Sequence, residues 1–225
     1  MFTLTHFNEC VHRLIPSKFP PVSLFDWANS AEELEQIALL EGLTNERLQA
    51  ELGKINLIDK DDWVLGPGST PIMASFTHIG FESRFSDGSF GVYYAASTLE
   101  TAIKETRFHR ERFYNASKEK PCSISMREYI ATIKKPLLDI RNSSYSHLFN
   151  SDLAFYDQSQ AFGKKIHGER HWGLLYPSVR NPDNLCVAVL RPPALTIPTQ
   201  GCHLKYIWDG ERISEIYKEN KIKNL

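Results

Sequence analysis

The sequence predicts an α+β protein, on three observations. Helix signals gather early in the chain, short apolar strand-like runs dominate later, and the two do not alternate in a regular βαβ rhythm. With 225 residues the chain is long enough for one large domain or two small ones. It contains no internal repeat, low-complexity tract or linker, so a single domain over residues 1–225 is expected. Hydrophobic residues make up 42% and charged residues 24%, which excludes a largely disordered chain. Lys plus Arg number 26 against 27 Asp plus Glu, a net charge of −1. No global positive field therefore draws in nucleic acid or an anionic membrane, and a bound polyanion must be caught by a few placed residues.

Residues 1–72 read as an N-terminal helical segment. Met1 to Glu9 has neither a basic n-region nor an apolar h-region, so no signal peptide is expected. Ser30-Ala31-Glu32-Glu33 forms a capping box ahead of Leu34, Ile37 and Ala38, with Gly42 as the stop. A second short helix is predicted through Glu46, Leu48 and Leu52, ending near Gly53. Trp63 to Phe81 is the longest stretch free of Asp, Glu, Lys and Arg. Its two prolines and three glycines make it loop-rich and not a membrane span.

The core is placed at residues 73–192. Gly91-Val92-Tyr93-Tyr94-Ala95-Ala96 reads as a short buried strand. Ser97-Thr98-Leu99-Glu100 is a second capping box, opening a helix with Leu99, Ala102, Ile103, Thr106, Arg110 and Phe113 on one stripe. At 100° per residue Glu105 falls on the edge of that stripe, with His109 one turn on, so strand, cap and helix bring Tyr94 and Glu105 near one another. Asp152 to His167 looks helical, and Gly173–Tyr176 and Leu185–Leu190 look like core strands. Within 193–225, His203–Trp208 and Glu211–Tyr217 flank Asp209-Gly210, a type I′ hairpin signal. Cys10, Cys122, Cys186 and Cys202 have no paired spacing and read as buried free thiols of a cytoplasmic protein.

Several motifs fail on inspection. Gly66-Pro67-Gly68-Ser69-Thr70 lacks the Lys and spacing of a phosphate loop and reads as a turn. His167 and His171, with Cys186, Cys202 and His203 downstream, lack zincin order or a CxxC, so no metal is expected and the histidines read as solvent-edge. Ser178 follows a strand without a Gly-x-Ser-x-Gly elbow; its hydroxyl either caps a turn or faces a ligand. Arg84 lies in a Gly-rich turn where a guanidinium can fork onto a phosphate, or else pair with Asp87 or Glu82. Glu105 is either a site residue or an i, i+4 partner of His109.

At these residues the sequence resembles the RES-domain family, named for its Arg, Glu and Ser. The family pattern runs from an Arg in a Gly-rich turn to a Tyr, a Glu and a much later Ser, matched in order by Arg84, Tyr94, Glu105 and Ser178. The contexts agree: Arg84-Phe85-Ser86-Asp87-Gly88, Tyr93-Tyr94-Ala95-Ala96, Glu100-Thr101-Ala102-Ile103-Lys104-Glu105 and Tyr176-Pro177-Ser178-Val179-Arg180. Arg13 matches an earlier Arg of the family's first strand. The resemblance covers residues 71–192; the segment between Arg13 and Met73 is longer than in compact members.

The resemblance implies an ADP-ribosyltransferase-like fold with a split sheet forming a cleft for NAD. It further implies a cytoplasmic toxin that degrades NAD and is neutralised by an Xre-type antitoxin. Nicotinamide leaves NAD as a neutral molecule, so no general acid is required and one carboxylate can suffice, unlike ordinary glycoside hydrolysis. Glu105 would stabilise the positive charge growing on the ribose; Arg84 and Arg13 would clamp the pyrophosphate. Tyr94 would orient the nicotinamide side and Ser178 would hydrogen-bond the cofactor. The acceptor stays open between water, inorganic phosphate and a protein side chain, with Lys104, Arg107 or Arg180 available for a second anion. A non-catalytic nucleotide-sensing or partner-binding module, with the 17–72 segment filling the cleft, is the alternative. A homodimer is compatible with the apolar content.

Overall fold

Sheet formation organises the chain from its first residues, contrary to the expected helical start. The computed structural model describes residues 2–17, 24–42, 55–152 and 155–220. Its strands are β1 (Leu4–Thr5), β2 (Cys10–Pro16), β3 (Tyr93–Ala96), β4 (Cys122–Thr132), β5 (Leu137–Asp139), β6 (Gly173–Pro177), β7 (Leu185–Val189), β8 (Thr199–Trp208) and β9 (Ile213–Glu219). Its α-helices are α1 (Leu24–Trp27), α2 (Ala31–Gly42), α3 (Thr70–Thr77), α4 (Leu99–Ala116) and α5 (Tyr156–Gly168). The strands lie in the order β1-β5-β6-β7-β3-β2-β4-β8-β9. All pairings are antiparallel except β5 with β6. The fold is α+β, as expected.

The sheet is split in its middle. β2 and β3 share one registered pair, His12 with Ala96, after which β2 parts from β3. β2 stays fully paired with β4 along Cys10–Pro16, so the opening lies on its other edge. Arg13 spans the opening: its Nη1 donates to the Tyr94 carbonyl at 3.0 Å, a group left without a ladder partner where the strands separate.

Alternation along each strand feeds two apolar layers. Leu14, Ala96, Met126, Leu204 and Tyr206 pack on one face with Ala102 of α4. Val11, Tyr93, Val187 and Val189 pack on the other with Ile72 and Phe76 of α3. A third cluster joins Phe25, Ala28, Leu34 and Ile55 to Met73 of α3. The Asp26 carboxylate of α1 accepts the Thr70 N–H and Oγ1, both at 2.8 Å, capping α3 from outside it. The N-terminal helices thus buttress α3. The predicted helix over Glu46–Gly53 lies outside the described residues.

Local chemistry corrects several expectations. Thr70–Thr77 is helical within the stretch read as loop, and Gly66–Ser69 is the turn leading into it. α2 begins after Ser30, whose Oγ accepts the Glu33 N–H; the Glu33 carboxylate reaches the Asn29 N–H. The cap of α4 is Thr98, not Ser97: Thr98 Oγ1 accepts from Thr101 N, while Ser97 Oγ accepts from Leu185 N and pins β7. Phe113 is 56% exposed, off the buried stripe. The hairpin between β8 and β9 is a four-residue loop, with Asp209 Oδ1 accepting from the Glu211 and Arg212 amides. Asp209 does not adopt the positive φ that type I′ demands. Cys186 is buried as expected, but Cys10 and Cys122 are exposed.

Candidate active site

Glu105 sits on the face of α4 turned to the sheet opening, and the turn after β6 fixes it there. Ser178 Oγ donates to Glu105 Oε1 at 2.6 Å and accepts from the Arg180 and Asn181 amides at 3.3 and 3.0 Å. That uses the hydroxyl's one donor and both acceptor sites. Arg180 N adds a longer contact to Glu105 Oε1 at 3.4 Å. Asn181 ties the same turn to α4 through Thr101 Oγ1 at 2.9 Å, and Lys104 donates to Asn181 Oδ1 at 3.2 Å. Ser178 is 2% exposed, so it both caps its turn and holds the carboxylate. It does not itself line the cavity, unlike the direct cofactor contact expected of it.

The Arg84 turn forms the opposite wall. The Tyr94 hydroxyl accepts from Phe85 N at 3.0 Å and shares a 2.9 Å hydrogen bond with Ser83 Oγ. Burial pushes the Tyr94 phenol up to about 12, so it stays protonated at neutral pH. On the other side of the turn, α5 comes so close that a Cβ at Gly163 would lie 2.0 Å from the Phe85 carbonyl oxygen. Arg84 does not take Asp87, which Lys164 holds at 2.8 Å. Its Nη1 donates to the Leu148 and Asn150 carbonyls, and its guanidinium lies 4.7 Å over the Tyr156 ring.

Between these walls is a cavity of about 440 Å³, a volume typical of small-molecule sites. Arg13, Arg84, Arg110, Arg112 and Arg180 line it against two carboxylates, Glu82 and Glu105. A nearly neutral chain therefore concentrates positive charge in one cleft. Burial lowers the Arg13 guanidinium from its ordinary value, and the guanidinium lies 4.5 Å over the Tyr93 ring. Burial also holds the His109 imidazole down, with Arg180, Arg84 and Arg110 adding to it against Glu105, so it is neutral at pH 7.

Arg13, Arg84, Tyr94 and Glu105 thus meet in one cavity, with Ser178 behind Glu105. Of the cations expected to serve a second anion, Arg180 lines the cavity; Lys104 pairs with Glu100 and Arg107 with Glu111 on the outer face of α4. No described residue of 17–72 lines it, so the described part of that segment does not fill the cleft. Sequence reasoning missed His12, Arg112, Tyr156 and Tyr176. Arg112 was detectable, seven residues from Glu105 and hence on the same helical face. Tyr156 reaches Arg84 across 72 residues, with no local signal. His167 is stacked on Phe90 at 4.2 Å and half-buried, not at the solvent edge. Among the described residues no three His, Cys, Asp or Glu side chains gather as a metal site, and no helix is long and apolar enough to cross a membrane.

Fold and cavity together define a split-sheet α+β protein whose cleft sets clustered guanidinium groups against one fixed carboxylate. The chain belongs to the RES domain family, whose profile matches residues 58–209. An uncharacterized protein, y4oC of Sinorhizobium fredii, is 30% identical over 214 residues, covering 92% of this chain and 86% of its own length. A chain of the solved M. tuberculosis MbcT-MbcA toxin-antitoxin complex is similar to this one at a TM-score of 0.46 and 11% identity. That similarity covers 92% of this chain and 87% of the solved one.

Proposed function

We propose that this protein cleaves the bond between nicotinamide and ribose in NAD, and acts as the toxin of a toxin–antitoxin pair. The observation that carries the reading is Glu105, anchored by Ser178 at 2.6 Å inside an arginine-lined cavity. Membership of the RES domain family supports NAD as the substrate and an antitoxin, of Xre type, as the partner.

The chemistry follows from the charges. NAD carries a dianionic pyrophosphate, which Arg84 and Arg13 hold through charge-assisted hydrogen bonds. Arg84 is cradled by the Leu148 and Asn150 carbonyls and Tyr156, so its guanidinium is already oriented before substrate arrives. As the glycosidic bond stretches, the pyridinium becomes neutral nicotinamide and positive charge moves onto the ribose. A fixed carboxylate beside that ring favours the transition state over the ground state. Ser178 keeps Glu105 from turning away. Tyr94 acts through the Arg84 turn that its hydroxyl holds, with its ring on the cavity wall.

The acceptor is water or inorganic phosphate, and Arg180, one of the arginines on the cavity wall, would attract the latter. The test is turnover of NAD by the purified protein with and without phosphate, with products separated by chromatography and weighed. ADP-ribose alone defines hydrolysis, and a phosphorylated ADP-ribose defines phosphorolysis. Intact NAD under both conditions overturns the reading in favour of transfer to a protein or a non-catalytic module.

A further inference from the structure

From its place in the cavity we infer that His12, oriented by Glu128, is the base that takes the proton from the water attacking the ribose carbon. This rests on the NAD-cleaving reading above. His12 Nδ1 lies 2.6 Å from Glu128 Oε1, and the Glu128 side chain is 5% exposed. Its other oxygen accepts the Cys202 N–H at 2.8 Å. The seat is tight, since a Cβ at Gly201 would lie 2.2 Å from Glu128 Oε2. A carboxylate is acceptor-only, so Nδ1 carries the proton and Nε2 is left as the ring's acceptor. Among the described residues no hydrogen bond engages Nε2, and His12 lines the same cavity as Glu105. An imidazole whose far nitrogen is fixed by a buried carboxylate is the arrangement a general base requires.

Strand register places the two groups on either side of a gap. Cys186, Ala96 and His12 are successive partners across β7, β3 and β2, and residues paired in this way share a face. Glu105 Oε1 stands 4.0 Å from Cys186 Sγ. His12 therefore lies two strand spacings, about 10 Å across the sheet, from Cys186, the residue next to the Glu105 carboxylate. Ala96, with its small side chain, forms the floor between them.

The step balances. The electron pair of the glycosidic bond leaves with nicotinamide, a water lone pair forms the new C–O bond, and the water proton passes to His12 Nε2. The products are nicotinamide, ADP-ribose and one proton. His109, the other cavity imidazole, lies one turn along α4 from Glu105 and has no carboxylate hydrogen bond among those described.

The experiment follows nicotinamide release by the full chain, comparing wild type with His12→Ala, His12→Asn and His109→Asn, with and without sodium azide. Azide is an anionic nucleophile with no proton to remove. His12→Asn keeps an N–H for Glu128 and so preserves the buried hydrogen bond. Both His12 variants should lose at least about 100-fold in hydrolysis. Azide should then restore release and yield an azide adduct of ADP-ribose, with KM for NAD within about twofold of wild type. Unchanged hydrolysis in both His12 variants overturns the inference. So does loss without azide restoration while NAD still binds, or restoration confined to His109→Asn. A wild-type protein that leaves NAD intact in both conditions is a separate result and overturns the proposed function itself.

Discussion

At the scale of single residues, Ser178 ties a local turn to the Glu105 carboxylate through one hydroxyl. Its donor goes to Glu105 and its acceptor sites go to the Arg180 and Asn181 amides. Hydrogen bonds to charged groups contribute about 1.5–3 kcal/mol. Ser178→Ala should therefore lower kcat about 10–100-fold with KM for NAD little changed, which steady-state kinetics will read. Spacing alone left Ser178 divided between cap and ligand contact, because the Glu105 partner is 73 residues away. The thiols give a second prediction. Burial first, then the Glu105 charge, pushes Cys186 up to about 12, and Cys202 is raised to about 11. Both stay protonated and slow at pH 7.5, whereas Cys10 and Cys122 are exposed. Alkylation should modify two thiols quickly and leave NAD turnover intact; early loss of turnover would contradict this placement.

At the scale of elements, the site depends on close approach between pieces distant in sequence. Gly163 lets α5 press on the Phe85 carbonyl behind Arg84. Gly163→Ala forces α5 and the turn apart, an overpacking that costs about 1–3 kcal/mol. It should lower the thermal midpoint and raise KM for NAD, while glycines in open space such as Gly168 tolerate alanine. Strand β3 and helix α4 were legible because apolar content, a capping threonine and helical spacing are local signals. β2 was obscured because Cys10–Pro16 mixes His12, Arg13 and Pro16 into a seven-residue strand, and those three residues line the opening. β4, the longest strand, buries Ile124, Met126 and Glu128 at alternate positions, so a charged residue stands in line with two core residues. The polar departures that hid these strands are the site's own residues.

At the scale of the whole molecule, the two faces of the sheet divide the work. Glu105 and α4 lie over one face, while α3 and the N-terminal helices brace the other. Phe25 of α1, fully buried in the cluster that Met73 of α3 joins, belongs to that brace. Phe25→Ala should cost about 3–5 kcal/mol of stability. The KM and kcat of the folded fraction should stay near wild type, measured by denaturant unfolding beside kinetics at low temperature. A large change in KM at unchanged stability would instead tie the N-terminal segment to the cleft. The central claim is that an anchored carboxylate in an arginine-lined cleft drives NAD cleavage. Its most direct test is nicotinamide release by wild type and Glu105→Gln, with NAD affinity measured by calorimetry on both. The account predicts that Glu105→Gln binds NAD within a few-fold of wild type and releases nicotinamide at least about 1,000-fold more slowly, the scale of a lost electrostatic contact in a closed site. Release at the wild-type rate by a folded, NAD-binding Glu105→Gln protein would contradict it.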